Sequence, residues 1–361
     1  MATKEANETE SMSKNAEVIE SLKRLIDLLQ HDGRDKQSAP SLSHYRQMPS
    51  DVKKAYELVL QGASVVHATS TKYTLIGKVA IGEQKKLASD LRSGCELIGA
   101  AIHVFFQDAS GCSRSLRHSA LRAALAIFIN VLHLVESFED GTAFEGNVGA
   151  QKTGAVWESC DTILNKLLPQ GNRNAIRREI FTWTRECNDT MEEFQDMIDS
   201  GPAEVNDDSD ADGEDGDEDD FFGGDDQQYS EEELPLANAC LGLVKCSRGC
   251  MKLTLEACEA LGATEDESQI NSIAKLHELA RSVGEGMTDL GTLMYPSLIP
   301  TITDLKGEIR RQVESIIALQ DFVLSLESLP PNVIELVNVL RKATETREAD
   351  ATQAIESVLA S

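Results

Sequence analysis

The sequence predicts an all-α fold: two antiparallel helical bundles separated by a disordered acidic linker. Three observations carry that expectation. Apolar residues recur at three- and four-residue spacing through nearly every segment, which places each set on one helix face. Aromatic residues make up only 5% of the chain and prolines number nine, a composition that disfavours a strand-rich fold. Residues 200–233 read SGPAEVNDDSDADGEDGDEDDFFGGDDQQYSEEE, with sixteen acidic side chains and no Lys or Arg. Such a stretch has too little apolar surface to offset the entropy of ordering, so it divides the chain.

The elements follow in order. Six helices are predicted before the acidic run, at about 12–30, 50–75, 83–107, 113–139, 150–168 and 172–199. The third carries Leu87, Leu91, Cys95, Ile98, Ile102 and Phe105 on one face, and the fourth carries Leu116, Ala120, Ala124, Ile127, Val131, Leu134 and Phe138. Gly111 separates these two stripes. Val156, Cys160, Ile163 and Leu167 mark the fifth helix, which Pro169 and Gly171 end. Asn172 is placed to cap the sixth, whose stripe is Ile176, Ile180, Trp183, Cys187, Met191, Phe194 and Ile198. The segment from His67 to Gly82 is rich in β-branched residues and reads as irregular helix.

Four helices follow the acidic run, at about 231–261, 265–291, 298–327 and 332–358. Ser230 with Glu233, and Thr264 with Glu267, have the spacing of reciprocal helix caps. Pro296, Pro300, Pro330 and Pro331 punctuate the last two helices. The expected domains are an N-terminal bundle (1–200), the linker (201–230) and a C-terminal bundle (231–361). A helix flanking the linker that crossed over would instead give two bundles of five.

With 361 residues and 41% hydrophobic content, the chain can bury a core in each half. Its formal charge is −27; outside the acidic run it is −11. An acidic surface repels phosphates and anionic membranes, so direct nucleic-acid and membrane binding are not expected, and basic protein surfaces are the natural partners. The polar N-terminus lacks the apolar segment of a signal peptide, and the apolar stretch at residues 121–135 is short for a bilayer span. The expectation is an intracellular protein, whose eight cysteines lie at apolar helix positions and form no disulfide framework.

Catalytic motifs are not found. The histidines are scattered, and no phosphate loop, nucleophile elbow or HExxH appears. Asp208, Asp210, Asp212 and Gly213, with Asp219 at the twelfth position, imitate the start of a calcium loop. The match fails at Asp215, where an aliphatic residue is usual, and at position twelve, which is Asp and not Glu. Cys246 and Cys250, with Cys240 and Cys258 nearby, read as small core residues, since zinc needs further ligands and no histidine is close. No cofactor and no metal is expected.

The candidate partner-binding residues are charged. Arg173, Arg177 and Arg178, in NRNAIRRE, form the most basic local cluster, and Asp217, Glu218, Asp219 and Asp220 lie at the centre of the acidic run. Ser209, followed by Asp212, is the candidate phosphorylation site, because acidophilic kinases favour that context. Val18, Leu22, Ile26 and Leu28 have the spacing of a leucine-rich export signal and equally that of a core stripe.

Four stretches taken in order resemble the cyclin-D-binding protein family (the Grap- and cyclin-D-interacting, Maid-like proteins). They are VWESCDTILNKLLPQGNRNAIRREIF continuing to DTMEEFQDMID, the acidic run, SEEELPLANACLGLVKCSRGCMKL, and DLGTLMYPSL. The resemblance covers most of the chain from about residue 85 to the end. It implies a non-enzymatic, two-bundle protein of cytoplasm and nucleus that binds D-type cyclin and negatively regulates cell-cycle progression. It also implies a relation to helix-loop-helix factors, as an antagonist without a basic region. The alternative readings are a helical-bundle adaptor of adhesion or cytoskeletal type, or a helix-loop-helix transcription antagonist.

Overall fold

The computed structural model describes residues 2–35, 42–77, 80–165, 167–202, 228–327 and 329–360. Among these it contains ten α-helices and no strand. They are α1 (Ala2–Asp35), α2 (Ser50–Gly77), α3 (Ile81–Phe106), α4 (Arg114–Glu139), α5 (Val148–Leu164), α6 (Gly171–Asp199), α7 (Leu234–Leu261), α8 (Glu267–Thr292), α9 (Ile302–Leu324) and α10 (Pro331–Ala360). The all-α expectation holds.

The chain forms two compact units: Met1–Ile176 with Glu265–Asn271, and Arg177–Thr264 with Ser272–Ser361. The division therefore falls within α6. The reason is the apolar stripe of α6. Cys187 and Phe194 share a core with Leu236, Leu243, Leu290 and Leu305 of α7, α8 and α9. Tyr229, placed by sequence in the linker, is also fully buried in this core, and its hydroxyl donates to the Met294 carbonyl.

In the first unit α2 packs on α3 and α5, α1 on α3 and α4, and α4 on α5. The predicted stripes of α3 and α4 are buried throughout. By length and composition α4 could cross a membrane, yet its apolar face is enclosed by this core. In α1 the core takes Val18, Leu22, Ile26 and Leu29, while Leu28 is exposed. An export receptor would need side chains that the fold covers. The segment after His67 continues α2 to Gly77 without irregularity, against its propensity. Ser70 and Thr71 hydroxyls donate back to the His67 carbonyl, Thr74 meets Thr153 of α5, and Tyr73 is buried. Tertiary packing outweighs the cost of β-branching.

Two expectations at helix ends are corrected. α5 stops at Leu164, so Leu167 falls in the loop and is exposed, and Leu168 takes the buried place. α6 starts at Gly171, and Asn172 does not cap it. Instead the buried Asn172 amide accepts from Ser113 N–H (2.7 Å) and donates to the carbonyls of His44 (2.7 Å) and Gly111 (2.9 Å). Gly111 has φ +58°, and a Cβ there would lie 1.8 Å from the Ser43 hydroxyl, so only glycine fits. Ser113, next but one, caps α4 by accepting from Leu116 N–H at 3.2 Å.

In the second unit α7 packs on α9 and α10. Helices adjacent in sequence alternate in direction: Arg177 meets Glu259 while Lys245 meets Gln195, so α6 and α7 are antiparallel. α6 and α8 consequently run parallel, with Trp183 against Gly284 and Thr190 beside Gly291. A Cβ on Gly284 would lie 2.7 Å from the indole, so this close approach requires glycine. Buried Gln312 of α9 donates to Ser247 of α7 (2.7 Å) and to the Val283 carbonyl of α8 (3.0 Å), joining three helices at the core.

Candidate partner-binding surface

The basic run at the start of α6 divides by role. Arg173 belongs to the first unit, where its backbone N–H donates to the Tyr45 carbonyl at 3.1 Å. Arg177 and Arg178 belong to the second unit. Arg177 donates to Glu259 at 3.1 Å, and its guanidinium carbon lies 5.5 Å from the ring centre of Phe181, one turn further along. Arg178 is exposed. The following Glu179 points inward. It bonds His277 at 2.8 Å and Arg281 at 3.4 Å, both of them on α8 and nearly fully buried. Trp183 lies over His277 with ring centres 6.1 Å apart. Sequence reasoning missed this network; its available signal was a His and an Arg four apart on the otherwise apolar stripe of α8.

An open groove of about 430 Å³ lies beside Arg177. Leu255, Pro330 and Val333 supply apolar lining, and Glu256, Glu259, Asn332 and Lys252 supply polar lining. Lys252 sits 3.8 Å from Glu256. Both ion pairs are partly exposed, so each contributes little to stability and can be exchanged for an incoming charge. On α6, burial pushes the Glu186 carboxyl above its usual range, only partly offset by neighbouring Arg185. By contrast, the cavity lined by Tyr56, Ile163 and Leu168 in the first unit has room for about one water, with a volume near 10 Å³.

Asp217, Glu218, Asp219, Asp220 and Ser209 lie outside the described residues. All eight cysteines are reduced and buried. Among the described residues no group of three His, Cys, Asp or Glu side chains is arranged to hold a metal ion.

Paired helical units with an exposed, charge-rimmed apolar groove define a protein-interaction module. Residues 58–200 match the family model described as Grap2 and cyclin-D-interacting, N-terminal, and residues 212–321 match its C-terminal counterpart. The chain belongs to the Grap2 and cyclin-D-interacting protein family. It is also 28% identical over 146 residues to the cyclin-D1-binding protein 1 homolog of Xenopus laevis. That match spans 40% of this chain and 42% of the relative.

Proposed function

We propose that the protein binds a D-type cyclin without catalysing a reaction, and that this binding restrains cell-cycle progression in cytoplasm and nucleus. The observation that carries the reading is the family match in both halves of the chain, joined to a relative whose name records cyclin D1 binding. The geometry supports an occupancy mechanism: a helical surface with an apolar groove supplies affinity, and charge hastens encounter. The helix-loop-helix alternative fits less well, because the apolar stripes such a dimer needs are buried within the units.

The test is capture of purified D-type cyclin by the full-length chain, followed by assay of the associated kinase. Binding should fall as salt rises, and kinase activity should fall as the protein is added. Absence of capture at micromolar concentrations would overturn the reading. Deleting residues 203–227, and sparing buried Tyr229, separates the acidic run from the helical surface: unchanged, salt-insensitive binding removes that run from the mechanism.

A further inference from the structure

The α6–α7 face of the second unit concentrates exposed cations in a chain whose formal charge is −27. Lys245, Arg248 and Lys252 are three and four apart on α7, so they share one face, and all three are exposed. That face borders α6, because the Lys245 ammonium donates to Gln195 at 3.3 Å and the charge of Arg248 acts on the Cys187 thiol. Across from it α6 presents exposed Arg185 and, one turn earlier, Phe181 with 51% of its surface exposed. Arg185 and Arg248 form no ion pair among the described residues. Of the other cations at this face, Lys245 donates to the Gln195 side chain, and Arg177 and Lys252 hold partly exposed pairs.

We propose that this face docks an acidic segment of a partner protein that also carries large apolar side chains. The two unpaired arginines and Lys252 would receive its carboxylates. Phe181 and the accessible lining of the groove, Leu255 and Pro330, would receive its apolar side chains. Charge complementarity selects the occupant: on a chain this acidic, a polyanion is repelled except where cations cluster, so the patch sets both orientation and encounter. A basic segment would be opposed by Arg185 and Arg248, which hold no ion pair among the described residues. A nucleic acid would satisfy the cations but leave the apolar groove unfilled. The inference does not depend on the partner being a cyclin.

The experiment measures binding of a fluorescein-labelled helical peptide of alternating Glu-Glu and Leu-Leu pairs to the full-length chain by anisotropy. Two control ligands are used: the same peptide with Lys for Glu, and a single-stranded oligonucleotide. The Glu peptide should bind, and the double variant R185E/R248E should weaken it at least tenfold. Both substitutions lie at exposed positions, and circular dichroism confirms that the variant folds. The variant should gain affinity for the Lys peptide. The proposal is overturned if the variant binds the Glu peptide as the parent does, or if the Lys peptide or the oligonucleotide binds the parent equally well. A tenfold gain for the Glu peptide on deleting residues 203–227 would assign the face to the chain's own acidic run, and would equally overturn a partner as its occupant.

Discussion

The Glu233 carboxylate accepts the backbone N–H of Leu298 at 2.6 Å, across 65 residues of sequence. The same oxygen accepts from the Ser297 hydroxyl and Ile299 N–H, while the other accepts from Ser230 N–H. Ser230 in turn caps Glu233 N–H at 3.2 Å. One side chain thus closes the start of α7 and also satisfies the turn that leads into α9. Burial pushes this carboxyl up, but the hydrogen bonds from Ser230, Ser297, Ile299 and Leu298 outweigh it and hold it below its ordinary value of 4.5.

Glu233→Ala should therefore destabilise the protein by about 3 kcal/mol, since it leaves buried N–H groups without acceptors. The pH dependence has a defined sign. A depressed folded pKa gives stability that is fully present above the unfolded value and is lost as pH falls through the folded one. Urea melts from pH 7 downward should show an acid-side loss in the parent chain. Glu233→Gln should lose part of the stability at pH 7 and flatten that acid limb. An unchanged limb would mean that other carboxylates govern it.

Asn172→Ala should cost about 2–4 kcal/mol in the first unit, because it strands one N–H and two carbonyls in a fully buried site. Asn172→Asp keeps an acceptor for Ser113 N–H but turns a second oxygen toward the His44 and Gly111 carbonyls, so it should rescue little. Hydrogen exchange supplies the check: the amides of Ser113 and Arg173 should lose protection together. Loss confined to one of them would contradict the shared anchor.

How far the sequence could be read follows from which interactions are local. Helix identity was legible because the buried stripes of α3 and α4 repeat with the period of the helix, and the Ser230–Glu233 cap because its two partners are three residues apart. Asn172 was misjudged as a cap because its partners, His44, Gly111 and Ser113, are distant in sequence, and nothing local distinguishes a capping asparagine from a stapling one. The same limit hid Glu179, which sits in a basic run yet pairs with α8. For the candidate surface, Arg177 was visible in the sequence, whereas Arg185, Arg248 and Lys252 gain meaning only once α6 and α7 lie side by side.

Glu179→Ala should destabilise the second unit by about 3 kcal/mol, because it removes the carboxylate that Arg281 and His277 share in a buried site. Arg281 keeps only Glu278, 3.8 Å away. A double-mutant cycle between Glu179→Ala and Arg281→Met separates pairing from burial. The double variant should be more stable than the sum of the single losses predicts, since no buried guanidinium is then left without the Glu179 carboxylate. Strict additivity would show that the two side chains are energetically independent.

The cysteines of α7 supply a test of core against ligand chemistry. Burial pushes the thiols of Cys240 and Cys250 up to about 12 and that of Cys258 higher still; it also raises Cys246, against the hydrogen bond of Thr344 and the charge of Arg347. The thiolate is both the nucleophile and the metal ligand, so these groups should be inert at neutral pH. In native protein at pH 8, iodoacetamide should modify none of the four within minutes, and Cys246 should react first as denaturant is raised, being 4% exposed where the others are fully covered. Full reaction should coincide with unfolding of the second unit, and added zinc should neither slow it nor raise the melting temperature. Zinc-dependent protection would instead identify Cys246 and Cys250, four apart on α7, as half of a ligand set, and would displace their role as apolar packing.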